Sequence, residues 1–284
     1  MIKLEGVSKQ LDKFSVKDIS LTIPDGYITG LIGRNGAGKT TLFHLILGLY
    51  RPDAGSVTIN GMQYDDSERV IREQLGVVLQ ERLFEADMTL EANAQLYGQY
   101  YPAYKAGVMQ ELLQEFELKG DQKYKTLSKG EELKFQFAFA LAHEPKILLL
   151  DEPTGNFDPE FREIFWQKLQ EFIADGSHSV VLATHLTDDL DRMADYLIYM
   201  DNGRIHLAED IETIRENYRI IQGENYKLKR FQPDYVIALE EGPYGGKALV
   251  RHKKRFDYDG FAVAPPTIEE LMYFMEKQLR RENR

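Results

Sequence analysis

Tyr27-Ile28-Thr29-Gly30-Leu31-Ile32 runs directly into Gly33-Arg34-Asn35-Gly36-Ala37-Gly38-Lys39-Thr40, and a stretch with helical spacing follows from Thr41 to Leu47. The first part reads as a buried strand. The second matches G-x-x-x-x-G-K-[ST], and strand, loop and helix in that order make it a phosphate-binding loop. Its glycines let the backbone wrap closely around phosphates with the N–H groups turned inward. The helix N-terminus adds partial positive charge, Lys39 reaches the β and γ phosphates, and Thr40 ligates Mg²⁺. Thr41 completes the nucleotide-binding stretch. The loop alone is shared by small-molecule kinases, GTPases and transport ATPases.

A second motif lies more than a hundred residues on. Ile147-Leu148-Leu149-Leu150-Asp151-Glu152 is a buried-strand pattern ending in two acids. Ligands gather at the carboxyl ends of parallel strands, so both acids are expected on the rim that carries the phosphate loop. Asp151 suits the Mg²⁺ shell. Glu152, pointing differently, is placed to orient or deprotonate an attacking water.

Strands are expected at residues 2–7, 19–23, 27–32, 56–59, 76–79, 147–151, 179–183 and 196–200. Helical spacing occupies 39–47, 90–101, 109–116, 131–142 and 159–173. This alternation predicts an α/β core with a parallel sheet, preceded by an antiparallel part where strands follow one another directly. A boundary is expected near residue 215, dividing the chain into 1–215 and an accessory α+β unit over 216–284. The second unit holds alternating Tyr- and Lys-rich stretches at 226–231, 235–239 and 248–252. Its last helix is announced by Pro265-Pro266-Thr267, with Thr267 and Glu270 at capping-box spacing.

Between the phosphate loop and the two acids lies Leu127-Ser128-Lys129-Gly130-Glu131, which resembles the LSGGQ signature of ATP-binding cassette proteins. Gln80 stands where that family's Q-loop glutamine stands, Asp158 in Gly155-Asn156-Phe157-Asp158 matches the D-loop aspartate, and His185 matches the switch histidine. The resemblance covers the body to about residue 208, with residues 81–142 as the helical subdomain. It implies two cassettes closing head to tail, each ATP lying between one phosphate loop and the other subunit's Ser128 and Gly130. His185 then contacts the γ-phosphate, Glu152 positions water, and Gln80 senses Mg²⁺ and water while linking the site to integral membrane permease subunits.

Three departures from the family pattern stand out. Lys129 and Glu131 replace glycine and glutamine. The Glu131 carboxylate would repel a γ-phosphate that Lys129 attracts; Glu131 also reads as a first-turn acid facing solvent. Lys129 is expected to strengthen closure of the ATP dimer. The position of the aromatic that stacks on adenine holds Leu11, with Phe14 three residues later as its substitute. The D-loop has Asn156 in place of glycine.

Net charge is −11 over 284 residues, which opposes nucleic-acid binding as the main task. No apolar run approaches the roughly 20 residues needed to cross a bilayer, the N-terminus reads as a strand and not a secretory signal, and there is no cysteine. The expected setting is cytoplasmic, peripheral on the inner face of the cell membrane, in a homodimer or heterodimer. The signature type and the C-terminal extension resemble bacterial exporter cassettes for peptides or amphipathic compounds. An importer cassette, or a soluble cassette ATPase acting on nucleic acid or ribosomes, is the alternative.

Overall fold

The apolar stretch ahead of the phosphate loop forms β3 (Ile28–Ile32), every residue of which is buried in a computed structural model that describes residues 1–282. It lies inside a six-stranded sheet ordered β5-β6-β7-β3-β8-β9. The other members are β5 (Leu75–Val78), β6 (Ile147–Asp151), β7 (Ser179–Thr184), β8 (Tyr196–Asp201) and β9 (Arg204–Asp210). All neighbours pair in parallel except β9, which returns antiparallel on β8. The near-continuous apolar runs follow from burial on both faces, the usual condition of parallel strands.

Successive residues of these strands divide between two cores, as a side-chain period of two requires. Ile32, Leu148, Leu150, Leu182 and Tyr199 belong to one cluster. Leu31, Leu149, Val181, Ile198 and Met200 belong to the other. The second is covered by an antiparallel sheet, β2-β1-β4, made of β1 (Ile2–Gln10), β2 (Ser15–Ile23) and β4 (Ala54–Ile59). It is also covered by α1 (Lys39–Ile46) and by Ile71 of α2 (Tyr64–Glu73). The first cluster is covered by α3 (Leu90–Gly98), α4 (Ala106–Glu115), α5 (Lys129–Ala142) and α6 (Pro159–Ile173).

After α7 (Thr187–Met193) and β8-β9 comes α8 (Ile211–Asn217), so residue 215 falls within a helix and the last sheet starts at Tyr218. That sheet, ordered β11-β12-β10-β13, comprises β10 (Tyr218–Gly223), β11 (Val236–Gly242), β12 (Gly245–Arg251) and β13 (Ala262–Ala264). The stretch 226–231, whose alternation suggested extended chain, is instead α9 (Asn225–Arg230): its Leu228 packs inward on Ile221 and Val250, and its lysines stay at the surface. The final helix, α10 (Ile268–Glu282), starts with the expected capping box, Thr267 Oγ1 accepting from Glu270 N at 3.1 Å and Glu270 Oε2 accepting from Thr267 N at 3.2 Å. Leu271 and Phe274 of α10 join the same core as the helices of the cassette body. Among the described residues no helix is long and apolar enough to cross a membrane.

The helix α2 and the edge strand β9 were absent from the expected elements. Both are amphipathic and carry many charges, so their stability comes from the surface they cover more than from a continuous apolar signal.

Candidate functional site

The sheet order places four loop starts side by side. Gln80 follows β5, Asp151 ends β6 with Glu152 next, His185 follows β7, and Gly33 follows β3. Four distant segments therefore deliver their residues to one rim, where open parallel sheets collect ligands.

The contacts along that rim are direct. Thr40 Oγ1 donates to Asp151 Oδ2 at 2.8 Å. The other oxygen, Asp151 Oδ1, is buried and accepts no hydrogen bond. Burial pushes the Asp151 carboxyl above the ordinary carboxylate range, with the Thr40 hydroxyl opposing. A buried carboxylate with one idle oxygen beside a threonine hydroxyl is a hard-oxygen donor set that fits a divalent cation such as Mg²⁺.

Lys39 is 7% exposed, and its ammonium donates to the Gly33 carbonyl at 2.8 Å and the Arg34 carbonyl at 3.4 Å. It lies 3.6 Å from Glu152 Oε1. The other Glu152 oxygen accepts from the backbone N–H of His185 at 3.3 Å and lies 2.7 Å from His185 Nδ1. An ionised carboxylate only accepts, so Nδ1 carries the proton and a neutral His185 keeps Nε2 as an acceptor. Glu152 has φ +49°, a left-handed conformation costing roughly 1–2 kcal/mol for a side chain of this kind. That turn separates its carboxylate from that of Asp151. Gln80 Nε2 donates to the backbone carbonyls of Asp151 at 3.2 Å and Glu152 at 2.9 Å.

The phosphate-loop residues Arg34, Asn35 and Gly36 are exposed, Ala37 is buried, and Thr41 is half-buried. Gly38 has φ +112° and lies so close to Phe14 that a Cβ there would meet the ring at 2.6 Å. Phe14 thus flanks the end of the loop.

The signature segment starts α5. Ser128 is its N-cap, its hydroxyl accepting from Glu131 N at 3.3 Å while Glu131 Oε2 accepts from Ser128 N at 2.7 Å. The Glu131 carboxylate therefore turns back onto the cap, where it satisfies an N–H the helix leaves open. Among the described residues no hydrogen bond joins Ser128 or Gly130 to residues 33–40 of the same chain.

Over 209 residues the chain is 35% identical to the Nod factor export ATP-binding protein I of Burkholderia lata, a match spanning 72% of this chain and 68% of the relative. Residues 16–155 match the ABC transporter family. The chain belongs to that family. It is an ABC ATPase, the ATP-binding subunit type. A solved ATP-binding subunit of an ABC transporter superposes with TM-score 0.71 at 27% identity, covering 76% of this chain and 92% of that one. The cassette MJ0796, solved as a post-hydrolysis dimer bound to ADP and Pi, gives TM-score 0.66 at 26% identity over 74% of this chain and 99% of its own.

Two residues of this ABC ATPase have partners within the chain that the linear pattern does not display. The Lys129 ammonium is engaged inside its own chain, donating to the Gln80 carbonyl and lying 3.5 Å from Glu132 Oε2. The cause is Glu132, a carboxylate only 2% exposed that needs countercharge, which Lys129 and Arg82 (2.7 Å) provide. Asp158 serves as the N-cap of α6, accepting from Phe161 N at 2.8 Å, with Lys134 at 3.3 Å. Gly130 is fixed by its neighbour in the D-loop: a Cβ there would lie 2.6 Å from the Asn156 carbonyl oxygen.

Gln136 was missed by sequence reasoning. It is 1% exposed in α5, accepts from Leu79 N at 2.8 Å and donates to Glu81 O at 3.0 Å, so it holds the backbone on both sides of Gln80. Its signal is an amide inside the otherwise apolar run Phe135-Gln136-Phe137-Ala138. Gln136→Leu leaves both backbone groups unpaired and is expected to lower unfolding free energy by about 1–3 kcal/mol in urea titration.

Proposed function

We propose that the chain powers a membrane exporter as one half of a cassette dimer at the cytoplasmic face, hydrolysing ATP at a site shared with a second cassette, identical or related. The observation that carries this reading is the rim itself. Lys39, Thr40, Asp151, Glu152, His185 and Gln80 converge there, while among the described residues Ser128 and Gly130 of the same chain make no hydrogen bond to it. A partner's Ser128 and the backbone around its Gly130 complete the site, presented at a helix start that favours phosphate.

In this reading Thr40 and Asp151, with Gln80 beside them, would hold Mg²⁺, which would supply charge neutralisation for the triphosphate. Lys39 exchanges its carbonyl partners for phosphate oxygens. Glu152 orients the attacking water and takes its proton, its carboxylate aimed by the His185 imidazole. His185 contacts the γ-phosphate and donates to it once its ring leaves Glu152 or carries a proton on both nitrogens, and Asp158 lies at the dimer face. Phe14 stands in for the missing adenine-stacking aromatic at Leu11. Gln80 reports the state of the site to the helical unit, where Tyr100 is exposed and Tyr124 is core. Permease subunits dock on that unit. Relatives named for Nod factor export support outward transport; a cargo of peptides or amphipathic compounds rests on the resemblance of the signature and C-terminal extension to exporter cassettes.

Subunit mixing tests the shared site. Lys39→Ala and Ser128→Arg chains are each expected to be inactive alone. Mixed in equal amounts they recover roughly a quarter of wild-type ATPase, because half of the dimers are mixed and each keeps one intact site. A mixture as inactive as its components would end the reading.

A further inference from the structure

A cavity of about 890 Å³ opens beside the phosphate loop. One wall is the β1-β2 turn, with Gln10, Phe14 and Lys17; a second is the β8-β9 turn, with Asp201 and Asn202. The third comes from outside the cassette body: it is Leu279 of α10. Leu279 also lines a smaller cavity with Asn35, Gly36 and Ala37 of the phosphate loop, so one side chain borders both spaces.

The helix is held in that position by several bonds. Ile268 N donates to Asp191 Oδ1 at 2.9 Å, and Tyr273 OH donates to Glu240 Oε1 at 2.7 Å. Leu271 and Phe274 are fully buried. About two turns into α10, Glu276 Oε1 pairs with Arg34 of the phosphate loop at 3.1 Å and also with Arg280 one turn further along. A half-buried carboxylate between two guanidiniums ties the end of α10 to the loop that receives phosphate.

We propose that α10 forms part of the nucleotide site, with Leu279 supplying an apolar wall for the nucleoside half of the ligand opposite Phe14, and Glu276 fixing that wall through Arg34. This rests on the nucleotide-binding reading above and assigns the C-terminal unit a role in it. The chemical need is clear. A nucleobase presents a flat apolar face, and Leu11 and Phe14 leave the turn with a single partly buried ring to cover it. A cavity of this size suits a small ligand; its lining is mostly polar or charged, and Phe14 and Leu279 supply its two apolar faces.

Because an apolar side chain favours the flat face of a nucleobase and not charged phosphate oxygens, the test compares two ligands on the full chain. Equilibrium binding of ATP and of inorganic tripolyphosphate is measured for wild type, Leu279→Ala and Leu279→Met. Leu279→Ala is expected to weaken ATP about three- to tenfold and leave tripolyphosphate unchanged, consistent with loss of part of one leucine's apolar contact. Leu279→Met, close in volume, restores wild-type ATP affinity. Unchanged ATP affinity in Leu279→Ala overturns the proposal. So does an equal loss for both ligands, which would mean general damage to the loop. A wild-type chain that binds tripolyphosphate but no ATP would instead bring down the ATP-binding reading on which the proposal stands.

Discussion

Glu152→Gln is expected to leave ATP affinity within a few-fold of wild type and to cut the maximal hydrolysis rate by about 10²–10⁴-fold, the usual contribution of a positioned general base. The amide keeps the size of the side chain, and its oxygen can still accept from the His185 N–H that now reaches Glu152 at 3.3 Å. It cannot take a proton from water. Lys39 also loses a neighbouring negative charge 3.6 Å away, which frees its ammonium for phosphate and favours retention of bound ATP. The variant should therefore collect as an ATP-bound dimer in size-exclusion chromatography, with phosphate release close to background. Normal turnover would remove Glu152 from the role of base.

Lys39→Ala should act on the other half of the chemistry. Its ammonium is buried and already desolvated, held by the Gly33 and Arg34 carbonyls where phosphate oxygens would replace them. Little reorganisation opposes that exchange. Hydrogen bonds to charged groups contribute about 1.5–3 kcal/mol each, so removing this one weakens ATP by about 10- to 100-fold. Loss of the cation also leaves Asp151 and Glu152 without their nearest internal countercharge, which adds to the repulsion felt by a triphosphate. Calorimetric titration with ATP measures the first effect, and ATPase assay at saturating ATP measures the second. A variant that binds ATP as wild type does would contradict the placement of the phosphates at Lys39.

The two predictions concern residues legible in the amino-acid sequence alone, and the reason is local. A phosphate loop is a short run of backbone whose glycines and lysine must follow each other without interruption. The strand ending in Asp151-Glu152 advertises itself through four successive apolar residues. The geometry added what spacing could not: the idle Asp151 Oδ1, the His185–Glu152 hydrogen bond and the left-handed turn at Glu152 all arise between segments far apart in the chain. Lys129 shows what a motif in isolation leaves out: within its own chain the ammonium also meets Glu132, one helical turn away, whose burial no linear pattern displays.

The amino-acid sequence by itself determined the α/β phosphate-loop core, its ABC-type signature and the order of its motifs, because strand periodicity and loop chemistry are written in consecutive residues. Only the tertiary structure decided which charges are satisfied internally, and that Leu279 and Glu276 of the last helix reach the phosphate loop of the same chain. Those outcomes depend on how amphipathic surfaces choose their partners. That choice is made by packing and desolvation over the whole molecule, which a one-dimensional pattern does not contain.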